Sequence, residues 1–335
     1  MTERLAAVVE RERAEDAIDA LASEGVYDDT RSVDTYGEGV AIPVSAAPTE
    51  TPVIEVVEAD LPARNRDLRE LLAGRGWTEA ELDRLPASWA VVGDCLLVQA
   101  TDGEAPFPRP EEVGEALLEL HGGADTVLLA RGVSGTQREP DVTVLAGAGD
   151  TEVVHTEHGT RYALDLSKTM FSPGNQAERV RMGEVVDTDE RVFDMFAGVG
   201  YFTLPMARAG AVVTAAEINP EAYRYLVENA VLNGVEARVS AFRADCRDVD
   251  AGAERVVMGH YEATDYLDAA LDALDPGGVV HVHDAVPEAE LWDRPAGAIE
   301  AAAADHGRGV EVLDRRVVKS HAPGVDHVVV DARVD

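Results

Sequence analysis

The sequence predicts an α/β protein whose C-terminal half is a doubly wound, mostly parallel sheet. Three observations predict it. Arg191 to Gly234 reads strand, glycine turn, helix, strand, helix. An acid, Glu217, follows the turn by about 20 residues, at the end of the second strand. Further β-prone runs then alternate with helical stretches as far as Val334, which makes seven strands in all.

Within that unit each element has a local cause. Val192 and Phe193 close a short apolar run that suits a buried strand. Asp194 to Gly200 is a turn, and Gly198 and Gly200 remove side chains where a ligand must approach the backbone. Phe202 to Arg208 carries a helical pattern, and Ala211 to Ala216 is the second strand. Asn219 suits an N-cap, Pro220 the first helical position and Gly234 a C-terminal stop. At the end of its strand, Glu217 can accept hydrogen bonds from both hydroxyls of a ribose. Position 203 is Thr, so the third glycine of a dinucleotide turn is missing. A nucleoside without pyrophosphate, such as S-adenosylmethionine, fits this turn better than a dinucleotide.

Composition bounds the rest. The chain of 335 residues has a formal charge of -35, and only Lys168 and Lys319 among its 29 basic residues are lysines. Acidity spread along the whole chain with few lysines predicts solubility in molar salt, where the Debye length is only about 3 Å, and hence a halophilic host. Cys95 and Cys246 form no metal or disulfide framework. No apolar run approaches the roughly 20 residues of a membrane span, and no signal-peptide pattern opens the chain. The expectation is a cytoplasmic protein with no membrane and no metal.

Residues 1–47 read as a small α+β unit, with a strand over Leu5 to Val9, a helix over Ala14 to Ser23 and a β signal from Tyr36 to Val44. The stretch 48–65 reads as a linker, despite a β-prone run at Val53 to Val57. Residues 66–183 read as a β-rich middle domain. It opens on short helices at Asp67 to Ala73 and after a Thr78–Glu81 capping box. Trp89 to Val98 reads as one strand bent at Gly93-Asp94, and Pro110 to Leu120 as a helix. Strands follow at Thr126 to Ala130 and Val142 to Ala146, then a hairpin around His158-Gly159. Residues 184–335 hold the doubly wound sheet.

The window from Thr160 to Arg181 breaks the acidic trend, with Arg161, Lys168, Arg179 and Arg181 against Asp165 and Glu178. Such an excess suits an anion, either a ligand carboxylate or an RNA phosphate. Beside it, Ser172-Pro173-Gly174-Asn175 is a turn that presents Ser172 and Asn175 near a helix start. After the third strand, Asp245 takes a position from which an acid can reach an adenine amino group. Cys246 reads as a packing residue. His281 and His283 share a strand face without a third ligand at metal spacing.

The stretches FDMFAGVGYFTLPMA, AAEINPEAYRYLVENAVLNGV, ERVVMGHY and VVKSHAPGVDHVVVDARV resemble the archaeal and eukaryotic family that modifies position 37 of transfer RNA. It contains the guanosine-37 N1-methyltransferases and the wybutosine-synthesising aminocarboxypropyltransferases. The resemblance spans nearly the whole chain and is weakest before residue 50. It implies a small N-terminal RNA-binding domain, a β-rich middle domain and a class I methyltransferase-like Rossmann domain with a seven-stranded sheet.

Two departures separate the branches. Gly259-His260-Tyr261 stands where the methyltransferases carry Asn-Leu-Pro, and Gly174 stands where they usually carry arginine. Both point to the branch that transfers the aminocarboxypropyl group of S-adenosyl-L-methionine to C7 of 4-demethylwyosine, with the tRNA(Phe) anticodon loop as partner. Guanosine-37 N1-methylation is the alternative. The resemblance places Ser172 and Arg179 near the cofactor, with Arg179 a candidate for the methionine carboxylate. It gives the ribose to Glu217, the adenine to Asp245 and the Cys246 backbone, and the turn to Phe196, Gly198 and Gly200. No general base stands out; His260 and Tyr261 are the nearest candidates.

Overall fold

The computed structural model describes residues 4–37, 39–62, 67–100 and 107–335. Readings that fall on 1–3, 38 and 63–66 lie outside the described residues. The chain divides into two compact units, Met1–Asp83 and Arg84–Asp335.

The first unit holds β1 (Leu5–Val9), α1 (Ala14–Ser23), β2 (Asp34–Tyr36), β3 (Gly39–Val44) and β4 (Glu55–Glu58) in an antiparallel sheet ordered β2-β3-β1-β4. Alternation along the strands splits the apolar residues between two faces. Ala7, Val9, Ile42 and Val44 pack with Leu21 of α1, while Ala6 and Ala41 pack with Leu61. The stretch read as a linker is therefore corrected: it contains β4, which pairs with β1. Upstream of β4, the Glu24 carboxylate accepts hydrogen bonds from the backbone N–H groups of Thr49, Glu50 and Thr51. Linker-like composition missed that anchor. α2 (Leu68–Gly74) and α3 (Glu79–Leu82) complete the unit, capped by Asp67 and by the Thr78–Glu81 box.

The second unit opens with β5 (Trp89–Val92) and β6 (Cys95–Gln99), an antiparallel hairpin rather than one bent strand. Gly93 at φ 61° turns the chain back. α4 (Pro110–Leu120) crosses over to β7 (Thr126–Ser134), parallel to β6, and β8 (Glu139–Gly147) completes the sheet β5-β6-β7-β8. β9 (Glu152–Glu157) and β10 (Thr160–Asp165) form the expected hairpin, with His158 and Gly159 both at positive φ.

α5 (Gln176–Val185) leads into the large sheet. Its elements are β11 (Arg191–Asp194), α6 (Thr203–Ala209), β12 (Val212–Ala216), α7 (Pro220–Leu232), β13 (Val239–Phe242), β14 (Ala253–Met258), α8 (Leu267–Ala273), β15 (Leu274–Pro287), α9 (Asp293–Asp305), β16 (Val310–Ala322) and β17 (Val325–Val334). The strand order is β13-β12-β11-β14-β15-β17-β16, parallel except at β17. Neighbouring residues of β11 face opposite sides. Val192 packs with Leu204, Val213 and Leu226, and Phe193 with Val256, Val280 and Ile299. The Val192 side also contains Leu97, Leu128, Tyr162 and Leu164 of the β-rich segment. The cores accordingly do not separate at residue 183, and α2 and α3 belong to the first unit.

Candidate functional site

The strand order reverses at β11, with β12 on one side and β14 on the other. A crevice opens at such a point beyond the carboxyl ends of the strands. Gly198 sits in the turn after β11 at φ 58°, where a side chain is disfavoured, and its N–H donates to Glu217 Oε2 at 2.7 Å. Glu217 Oε1 accepts the Asn219 N–H at 2.7 Å. The carboxylate at the end of β12 is thus held by two backbone donors. Burial raises its pKa, opposed by those same N–H groups. Beneath the turn, Asp194 is fully buried, accepts the Thr203 hydroxyl at 2.7 Å and keeps Oδ1 without a partner. Burial pushes its pKa up to about 6.

A cavity of about 250 Å³ fills the crevice. Glu217 and Ile218 line it from the end of β12, Asp245 and Cys246 from the end of β13, and Gly259, His260 and Tyr261 from the end of β14. The Phe196 ring stacks on His260 with centroids 5.0 Å apart and meets Tyr266 edge-on. Together they give the site a flat aromatic wall. Ser172, Asn175 and Arg179 line it from the segment before and within α5, and Arg138 from the β7–β8 turn.

Cations gather around Ser172. Lys319 of β16 donates from Nζ to Ser172 Oγ at 2.7 Å, and Arg179 donates from Nη2 to the Ser172 carbonyl. Arg179 also pairs through Nη1 with Glu157 Oε2 at 2.5 Å and lies over the Tyr201 ring, 4.6 Å from its centroid. His155 accepts the Gly93 N–H at Nδ1, so its proton sits on Nε2 and points at Glu157 Oε1, 3.2 Å away. Burial alone would raise the Glu157 pKa, but His155, Arg179 and Gln176 hold it down at about 2.

Residues 153–313 match the TRM5/TYW2 methyltransferase domain, and residues 68–151 match the TYW2 N-terminal domain. A tRNA(Phe) (4-demethylwyosine(37)-C(7)) aminocarboxypropyltransferase from Pyrococcus horikoshii is 39% identical over 80% of this chain and 96% of its own length. The chain belongs to the TRM5/TYW2 family. Two solved structures agree. Pyrococcus horikoshii TYW2 in complex with MeSAdo is 38% identical with a TM-score of 0.68, covering 80% of this chain and 97% of that one. Trm5b from Pyrococcus abyssi is 33% identical with a TM-score of 0.74, covering 100% of both chains.

Of the site residues expected for a TRM5/TYW2 protein, the structure brings Ser172, Arg179, Phe196, Gly198, Glu217, Asp245, Cys246, His260 and Tyr261 to one cavity. Gly200 is corrected: it does not line the cavity. At φ 105° it faces Leu204, whose Cγ would lie 2.8 Å from an added Cβ, so it packs the turn onto α6. Arg179 is corrected as a free clamp, because its terminal nitrogens already serve Glu157 and Ser172; only Nε is unpartnered. Asp245 is bound bidentately by Arg247, which holds its pKa at about 2, so its oxygens are not idle. The Cys246 thiol is pushed up to about 12 by burial and stays protonated.

The two weak base candidates are donors. His260 Nδ1 accepts the Glu262 N–H, which leaves the ring proton on Nε2, and burial lowers its pKa. Burial raises the Tyr261 pKa and keeps the phenol intact. Sequence reasoning missed Tyr201, which lines the cavity, and Glu157 and Lys319, which bond to the lining residues Arg179 and Ser172. For Lys319 a signal existed, since it is one of only two lysines. Among the described residues no group of three His, Cys, Asp or Glu stands close enough to hold a metal ion. No helix among them is long and apolar enough to cross a membrane.

Proposed function

We infer that this chain transfers the 3-amino-3-carboxypropyl group of S-adenosylmethionine to C7 of 4-demethylwyosine at position 37 of tRNA(Phe), in the anticodon loop. The observation that carries the reading is the likeness to the Pyrococcus horikoshii enzyme of that activity over most of both chains. Glu217 takes the ribose hydroxyls, the aromatic wall of Phe196 flanks the adenine, and Asp245 with the Cys246 N–H meets the adenine edge. The polar end around Ser172 is left for the methionine arm.

In the reaction C7 of the tricyclic base attacks the γ-carbon of that arm. A C–C bond forms, the C–S bond breaks with its electron pair on sulfur, methylthioadenosine leaves and C7 releases its proton. Attack at the methyl carbon would instead leave adenosylhomocysteine. Which carbon reacts is decided by which one lies in line with the base, so holding the arm is the protein's main contribution. Cytoplasmic location, a salt-adapted host and contact of residues 1–47 with the tRNA belong to the same proposal.

Methyl transfer to guanosine-37 is the second reading, favoured by the full-length likeness to Trm5b. One experiment decides. The protein is incubated with undermodified tRNA(Phe) and S-adenosylmethionine labelled separately on the methyl and carboxypropyl carbons. Carboxypropyl label in tRNA with methylthioadenosine released supports the first reading. Methyl label with adenosylhomocysteine overturns it.

A further inference from the structure

Lys319 is a partly buried ammonium in a chain of net charge -35, yet no carboxylate pairs with it among the described residues. Its hydrogen bond goes to the Ser172 hydroxyl, which lines the cavity. A cation and a hydroxyl together are the complement of a carboxylate.

Resting on the aminocarboxypropyl reading, we propose that Lys319 and Ser172 seat the α-carboxylate of the methionine arm, and that Gly174 is the residue that permits this seat. An added Cβ at Gly174 would lie 2.7 Å from Lys319 Cδ. Any side chain there displaces the lysine stem from Ser172. Glycine at 174 and lysine at 319 therefore act as one specificity device, holding the arm by its amino acid end so that the γ-carbon faces the base. Arg179 cannot take this role while it neutralises Glu157. Arg138 lines the cavity without a carboxylate partner among the described residues, but its hydrogen bonds go to the Met170 sulfur and not to Ser172. Burial and the nearby Arg179 lower the Lys319 pKa, which is the expected condition of a cation awaiting an anion.

The test is calorimetric, on the full-length protein without RNA, using three ligands: S-adenosylmethionine, its decarboxylated analogue and methylthioadenosine. Lys319→Met should weaken S-adenosylmethionine binding by about 10- to 100-fold, the loss of a charge-assisted bond. It should leave the two ligands that lack a carboxylate unchanged. Gly174→Ala should shift the same ligand in the same direction, which guards against a folding artefact in either variant alone. An equal loss for all three ligands would mean that Lys319 only supports the cavity and would overturn the proposal. So would unchanged binding of all three. These outcomes are read from binding selectivity alone, so they are independent of which product the tRNA assay finds.

Discussion

Arg179 Nη1 lies 2.5 Å from Glu157 Oε2, and both side chains are almost completely buried. The pair joins β9 to α5. A buried pair of this kind gives little net stability against apolar replacements, but removing one partner strands a charge. Arg179→Ala should therefore unfold more easily, by about 3–5 kcal/mol, because Glu157 loses its main counterion. Arg179→Ala combined with Glu157→Gln should recover a large part of that loss. Urea titration of the three proteins checks it; a double variant no better than the single one would contradict the argument.

Asp194 gives a prediction in pH. Its pKa is raised to about 6, chiefly by burial. For a raised carboxyl the stabilising contribution is complete below the ordinary value near 4 and disappears as pH rises through about 6. Above that, the folded protein must carry a buried anion with one oxygen unpartnered. Wild type measured against Asp194→Asn should thus lose relative stability between about pH 4 and 7. Comparing the two proteins cancels the general acidity of the chain. A stability difference that stays flat over this range would remove Asp194 as the cause.

Salt dependence follows from charge. With 64 acids against 29 lysines and arginines, repulsion among unpaired carboxylates outweighs the attractive surface pairs. Exposed pairs such as Arg224–Glu228 weaken as salt rises, but each is worth at most about 1 kcal/mol. Screening of the uncompensated acids should dominate, so the melting temperature should climb from about 0.1 M to 3 M salt. A flat or falling melting temperature would rule out repulsion as the controlling effect.

The residues show which parts of this molecule were legible beforehand. Strands β11 to β17 were readable because apolar runs, the Asn219–Pro220 start of α7 and the Gly234 stop are local signals. The place of Glu217 at the cavity was readable because it follows from strand end and spacing. Gly93-Asp94 was ambiguous because a bend and a tight reversal have the same composition, and only pairing of β5 with β6 decides. β4 was hidden because its partner lies about 50 residues away. Arg179 was misread for a related reason. Its basic window was visible, but its counterion, Glu157, comes from another element and no spacing rule links them. Lys319 reaches Ser172 across 147 residues, a separation that only the folded sheet resolves.

The last prediction uses Glu217 to separate the two ends of the ligand. Its oxygens are held by the Gly198 and Asn219 N–H groups, which leaves further lone pairs on each oxygen for ribose hydroxyls. Glu217→Ala removes those acceptors and should cost on the order of 2–3 kcal/mol of binding, about 30- to 150-fold. The loss should be the same for S-adenosylmethionine, methylthioadenosine and adenosylhomocysteine, because all three share the ribose. That uniform loss contrasts with the carboxylate-dependent loss expected of Lys319→Met. Turn loosening is the competing explanation, since Gly198 would lose its acceptor. Glu217→Gln tests it: the amide keeps one oxygen for a backbone N–H but cannot accept from both hydroxyls. Calorimetry should place it between wild type and alanine, and an alanine variant that binds all three ligands normally would take the ribose away from Glu217.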